Sequence, residues 1–113
     1  MNKEETLIKA GKEYFYSGND EFSKERYNSA VVLYFKALIS FSDLYVLQKT
    51  GNTPSSHNDR FKITKENFSE VYNLLDKDFP FYQSSYVQIM NKELAEVIKD
   101  DAKIMAEKTN NKL

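Results

Sequence analysis

The chain of 113 residues contains no cysteine and no tryptophan, and it has only three glycines, two prolines and one histidine. Without cysteine, a disulfide framework and a thiolate metal site are both excluded. A single histidine does not assemble a typical transition-metal site, so we expect no metal ion. No glycine-rich loop of the kind that cradles phosphates is present, and we expect no cofactor.

The charged residues are balanced along the chain. Sixteen Lys and Arg side chains face seventeen Asp and Glu side chains, for a formal net charge of −1. No run of Lys and Arg forms the electrostatic footprint of a duplex DNA binder. The N-terminal stretch MNKEETLIKAGKEYF is charged throughout and lacks the apolar region of a signal peptide. We therefore expect a cytoplasmic protein that binds neither duplex DNA nor a membrane.

The apolar spacing predicts an all-α protein with four helices, or five if the third is broken near Thr64. No segment shows the sustained period-two alternation of a strand. Short links favour an antiparallel, up-and-down bundle in one domain over residues 1–113. The expected helices run roughly from Lys3 to Tyr16, from Phe22 to Lys49, from Ser56 or His57 to Asp76, and from Phe81 to Lys108.

Glycine, proline and polar clusters mark the expected breaks between these helices. Ser17–Asp20 is predicted as a turn with Gly18 at the helix end, Thr50–Ser56 as a loop, and Pro80 as a break. Residues 108–113 are expected to fray. The inward face of the fourth helix is expected to carry Tyr86, Met90, Leu94, Val97, Asp101, Ile104 and Met105.

The second helix is apolar almost all round. Leu33, Leu44 and Leu47 lie well away from its main apolar stripe. A membrane-spanning helix is disfavoured because Lys36 and Asp43 interrupt the run. The pattern instead predicts a central helix covered on both sides, with a homodimer formed through its second apolar face.

The stretch TPSSHNDRF holds the only histidine, His57, and one of the two arginines, Arg60. Its simplest interpretation is a helix start, because Ser55 or Ser56 suits the N-cap position and Asp59 suits the first turn. A bundle would bring this stretch to the end of the second helix. We therefore expect Asp43 either to orient His57 or to pair with Arg60. Lys36 lies seven residues before Asp43, on the same side of that helix.

The segment from Ser29 to Phe61 resembles the HEPN superfamily (higher eukaryotes and prokaryotes nucleotide-binding domains). The likeness rests on a long helix with spaced Ala, Lys-Ala and Asp, a loop with a proline, and a histidine that opens the next helix. These residues are Ala30, Lys36, Ala37, Asp43, Pro54 and His57. The resemblance implies a helical bundle that commonly dimerises, often encoded beside a minimal nucleotidyltransferase in toxin–antitoxin-like pairs.

Several members of that superfamily are metal-independent ribonucleases with an arginine separated from a histidine by four to six residues. This sequence departs from that motif, because Asn52, Gly51 and Thr50 occupy the corresponding positions before His57. We therefore assign no catalytic residue, and we expect a binding site formed by Lys36, Asp43, His57 and Arg60.

Three functional hypotheses follow from the residues and the resemblance. The first is a non-catalytic, HEPN-like module that binds a nucleotide, RNA or a protein partner such as a nucleotidyltransferase. The second is a metal-independent ribonuclease that uses His57 as acid and base. The third is a structural adaptor whose helix face docks a partner helix.

Overall fold

Five helices make up the fold, and no strand is present in the computed structural model, which describes residues 1–113. Their radius of gyration is 13.3 Å, close to the ~13 Å expected of a packed domain of this length. The all-α prediction is therefore confirmed, with the predicted third helix divided in two. The helices are α1 (Lys3–Ser23), α2 (Tyr27–Thr50), α3 (His57–Asn67), α4 (Ser69–Ser84) and α5 (Lys92–Lys108).

Helix α2 is the centre of the bundle and packs against α1, α4 and α5. Twelve of its 24 residues are buried, which explains why its sequence is apolar on nearly every side. Leu44 is fully buried by the chain itself, while Leu33 and Leu47 are half-buried. Much of the second apolar face of this helix, from which we predicted a homodimer, is thus covered by other helices of the same chain. The helix is long and apolar enough to cross a membrane, but 61% of its most apolar window is buried inside the protein.

Gly18 does not end the first helix, and the turn predicted at Ser17–Asp20 is wrong. Helix α1 continues to Ser23, and Gly18 is buried against α2. A Cβ atom at Gly18 would lie 2.7 Å from the ring of Tyr34. This glycine therefore allows two helices to approach closely, and its sequence position alone does not distinguish that role from a helix end.

Pro80 lies inside α4, so the break predicted there is also wrong. Proline removes one backbone N–H, which leaves the carbonyl of Asp76 without its helical partner. Asp76 and Pro80 are both exposed, and solvent can satisfy that carbonyl. The helix therefore continues to Ser84, and the true break is the segment from 85 to 91.

The division between α3 and α4 falls at Phe68 and not near Thr64. Thr64 is buried within α3, and its hydroxyl donates to the carbonyl of Arg60 at 2.8 Å. The predicted break near Thr64 is therefore displaced by four residues, to Phe68. In α5, Asp101 and Met105 are buried as expected, whereas Val97 and Ile104 are exposed. Three alanines take part in the buried face of α5 in place of the larger side chains that were expected there. This face consists of Ala95, Ile98, Asp101, Ala102, Met105 and Ala106.

The C-terminal tail makes contacts with the rest of the bundle. Helix α5 ends at Lys108, as expected, but the Thr109 side chain is buried and its hydroxyl donates to the carbonyl of Ala106 at 2.7 Å. Leu113 packs against the core. The side-chain amide of Gln48 also donates to the carbonyl of Thr109 at 3.2 Å, which ties the tail to α2.

A cluster of one lysine and two buried aspartates joins α4 to α5. Lys77 Nζ lies 2.8 Å from Asp101 Oδ2 and 3.8 Å from Asp78 Oδ1. Asp78 is completely buried, and neither of its carboxylate oxygens has a hydrogen-bond partner. Burial, followed by the neighbouring Asp101 carboxyl, raises the pKa of Asp78 to about 8. Asp78 is therefore mainly protonated at neutral pH.

Candidate functional site

The corner between α2 and α3 is built by local backbone chemistry. Gly51 ends α2 in a left-handed conformation with φ of 84°. The hydroxyl of Ser56 accepts from the backbone N–H of Asp59 at 3.0 Å, and the Asp59 carboxylate accepts from the backbone N–H of Ser55 at 2.8 Å. Hydrogen bonds from Ser55 hold the pKa of Asp59 below its usual value. The stretch TPSSHNDRF is therefore a helix start, as predicted.

Arg60 pairs with Asp43 through two parallel hydrogen bonds. Nε donates to Oδ1 at 2.7 Å, and Nη2 donates to Oδ2 at 2.9 Å. The side chains are 14% and 13% exposed, so the pair is largely removed from solvent. Bidentate geometry of this kind fixes both direction and distance. Of the two expected roles for Asp43, pairing with Arg60 is therefore the one observed, and it anchors the start of α3 to α2.

His57 lies beside this pair, with its ring packed on two phenylalanines. The ring centroid is 4.8 Å from that of Phe61 and 4.6 Å from that of Phe79. Arg60 Nη1 lies 3.4 Å from His57 Nδ1. Because a guanidinium only donates, Nδ1 is the acceptor and the neutral ring carries its proton on Nε2.

The environment of His57 favours the neutral imidazole. Loss of solvent around the ring, followed by the Arg60 cation, lowers its pKa below the usual 6.5. The ring is therefore mainly uncharged at pH 7. It presents an N–H donor at Nε2, while the lone pair of Nδ1 faces Arg60.

A cleft of about 490 Å³ opens beside His57 and is walled by four helices. Its polar lining comes from Lys36, Ser40, His57 and Arg60. Its apolar lining is mostly aromatic and consists of Tyr14 from α1, Phe35 and Ile39 from α2, and Phe79 and Tyr82 from α4.

The aromatic wall of the cleft is ordered by stacking. The rings of Phe35 and Tyr82 are 4.7 Å apart with an interplanar angle of 20°. Lys36 is exposed, and its Nζ lies 5.8 Å from the Tyr14 ring centroid. No carboxylate lines the cleft, since Asp43 stands behind Arg60. The cleft therefore presents aromatic faces together with positive charge.

Arg60 keeps donors for a ligand even while it is paired. A guanidinium has five N–H groups, of which Asp43 takes two and His57 faces one, so two remain. Together with the free ammonium of Lys36 they form a cationic rim. The arrangement is chemically suited to a flat ring that carries an anionic group, because the walls can stack and the rim can neutralise charge.

Three of the four predicted site residues thus line one cleft, and the fourth, Asp43, orients Arg60 from behind. Sequence analysis missed Tyr14, Phe35, Phe79 and Tyr82, because aromatic residues at helical spacing are typical of a core. Only the packing of α1 and α4 around α2 brings those four rings to the same opening.

A scan against protein-family models finds no match for this chain, and a search of curated proteins finds none either.

Proposed function

We propose that this chain is a HEPN-like, non-catalytic binding module of the cytoplasm, and that its cleft holds a nucleotide or the end of an RNA strand. The observation that supports this most directly is the convergence of Lys36 and Arg60 with four aromatic rings in one cleft. A base can stack on the rings, and a phosphate can accept from the two cations. The volume of about 490 Å³ falls within the usual range of ligand pockets.

Binding is favoured over catalysis by the state of His57. A general base needs a free lone pair, but Nδ1 faces Arg60 and Nε2 carries the proton. A general acid needs a proton to give at neutral pH, and the lowered pKa of His57 opposes that. The lining has no carboxylate to take over either role.

The decisive experiment compares a nucleoside 5′-monophosphate with the matching nucleoside by titration calorimetry. We expect Lys36→Met to weaken binding of the monophosphate by about tenfold, which is ~1.4 kcal/mol and typical of a hydrogen bond to a charged group. Binding of the nucleoside should change little, because its stacking contacts remain.

Lys49 offers a matched control on the same helix. Its Nζ lies 5.3 Å from the Tyr45 ring centroid, so it has the same kind of neighbour as Lys36, but it lies outside the cleft. Lys49→Met should bind both ligands as the wild type does. Equal losses in the two variants, or no binding of the monophosphate by the wild type, would contradict the proposal.

The resemblance also suggests a protein partner, and we propose a minimal nucleotidyltransferase in a toxin–antitoxin-like pair. Co-expression followed by a tagged pull-down tests it, with the Asp43→Asn and Arg60→Gln variants showing whether the corner contributes. If the chain were only a helical adaptor, the polar cluster could be replaced without loss of partner binding.

One contact favours a ribonuclease as the second candidate. His57 and Arg60, which are three residues apart, bring their side chains together at 3.4 Å, although the order is the reverse of the superfamily motif. In that case, single-stranded RNA would be cleaved without added metal, and His57→Ala would abolish cleavage while keeping the helical circular dichroism. Intact RNA after incubation with the wild type would exclude this candidate.

A further inference from the structure

The longest run of exposed apolar side chains lies in the segment between α4 and α5. Tyr86, Val87 and Ile89 are 70%, 82% and 90% exposed. We call these three side chains the apolar ridge. Single exposed apolar residues are ordinary, but three within four positions form a patch of the kind that marks interaction surfaces.

The ridge is held in one conformation by Asn28 of α2. The Asn28 side-chain Nδ2 donates to the carbonyls of Ser85 at 2.8 Å and Gln88 at 2.7 Å. Its Oδ1 accepts from the backbone N–H of Met90 at 2.9 Å, and Met90 is buried. Three hydrogen bonds from one side chain fix the segment on both sides of Val87. The ridge is therefore preorganised, which lowers the entropy lost when a partner covers it.

A groove of about 610 Å³ runs beside the ridge and shares Tyr86 with it. Val32 and Leu33 of α2 form its apolar part, and both are half-buried. We call this the α2 groove. Ser29 lines both this groove and the smaller hollow beside Ile89. One face of the molecule thus carries a convex apolar element directly next to a concave one.

We infer that this face is the interface between two copies of this chain, with the ridge of each copy seated in the α2 groove of the other. A two-fold axis near Ser29 would make two equivalent contacts. The ridge of the first copy would enter the groove of the second, and the ridge of the second copy would enter the groove of the first. A ridge and a groove that adjoin on one surface are self-complementary under such an axis.

The ridge supplies about half of the area that each copy buries in a stable dimer. The three ridge side chains expose on the order of 400 Å² of largely apolar surface, about half of the ~800 Å² that each partner buries in a stable interface. The α2 groove and the charged residues around it lie next to the ridge and would be covered together with it.

The charges on the rim also suit a second copy better than a strongly charged partner. The rim is of mixed sign, with three acids and two bases, namely Asp20, Glu21, Glu25, Lys24 and Arg26. Because the rim carries both signs, the acids of one copy can face the bases of the other. A uniformly basic or acidic partner would leave part of the rim facing charge of its own sign.

The first test is the molar mass in solution, measured by light scattering across a dilution series. The wild type should have twice the chain mass of 13.2 kDa. The double variant Val87→Asp/Ile89→Asp should raise the dimer dissociation constant at least a hundredfold, because two carboxylates would be buried. Both positions are exposed in the single chain, so the fold should survive, which circular dichroism checks. Ile104→Asp makes the same change at an exposed position of α5 and should leave the dimer intact.

The second test uses the absence of cysteine, which makes any introduced thiol the only one in the chain. Two differently tagged chains, one with Val87→Cys and the other with Leu33→Cys, should form a mixed disulfide on oxidation. A wild type that is monomeric at every concentration would overturn the inference, even if it captured a different protein. A dimer that is unaffected by Val87→Asp/Ile89→Asp, or that gives no mixed disulfide, would overturn it as well.

Discussion

Replacing the buried Asp78 with asparagine should remove a large pH dependence from the stability of the fold. In the folded protein the pKa of Asp78 is raised to about 8, whereas the ordinary value of 3.8 applies to the unfolded chain. Between these two values the folded state holds a proton that the unfolded state has released. Stability from this group is therefore complete below pH 3.8 and is lost as pH rises through about 8.

The expected slope follows directly from that proton. Each pH unit between the two pKa values lowers the free energy of unfolding by up to ~1.4 kcal/mol. Asp78→Asn keeps the side-chain volume but cannot ionise. The free energy of unfolding of the variant minus that of the wild type should therefore grow by up to ~1.4 kcal/mol per pH unit as pH increases from 5 to 8. Over that range the difference should reach several kcal/mol.

Urea unfolding followed by circular dichroism at a series of pH values measures this difference. Asp76→Asn is the matched control, since Asp76 lies two residues away on α4 but is exposed. Its stability difference should stay flat across the same range. If Asp78→Asn were as flat as the control, the carboxyl of Asp78 would be ionised in the folded protein and the reasoning from its burial would be refuted.

Three further predictions concern the α2–α3 corner and the α1–α2 contact. Asp43→Ala should destabilise the fold by about 3 kcal/mol, because it leaves the shielded Arg60 unpaired. Chemical denaturation measures this loss, and adding Arg60→Met to the same chain should recover part of it. Gly18→Ala should lower the free energy of unfolding by ~1–3 kcal/mol despite the better helix propensity of alanine, because the new methyl would lie 2.7 Å from the Tyr34 ring. An unchanged melting curve would contradict this. The His57 pKa, followed by NMR, should lie below 6.5 and rise in Arg60→Gln, which removes the nearby cation.

The parts of the fold that follow from local rules were predictable from the sequence. The Gly51 helix end, the Ser56 cap and the loop between them depend on residues within a few positions of one another. A partner for Asp43 at this corner was also predictable, because a charged residue in an apolar helix needs one, but the sequence left open whether Asp43 would pair with Arg60 or orient His57. The helix end and the cap are determined before any packing between helices is known, whereas the Asp43 contact also needs the α2–α3 corner.

The parts that depend on a neighbouring helix were not predictable in this way. Gly18 has the usual appearance of a helix end, and only the Tyr34 ring on α2 reveals why a glycine is needed there. Pro80 usually breaks a helix, but the exposure of that turn removes the penalty. The aromatic wall of the cleft has the same origin, since Tyr14 and Phe79 come from helices that are far apart in sequence.

The two side-chain amides at opposite ends of α2 have a consequence for the order of folding. Asn28 and Gln48 hold segments that lie 57 to 62 residues further along the chain, at either end of α5. Closing a loop of that length costs about 4 kcal/mol of chain entropy, far more than joining α1 to α2 through three residues. Docking of α5 is thus the long-range step of folding. Every residue that lines the cleft lies between Tyr14 and Tyr82, so the cleft draws no side chain from the helix that docks over the longest loop.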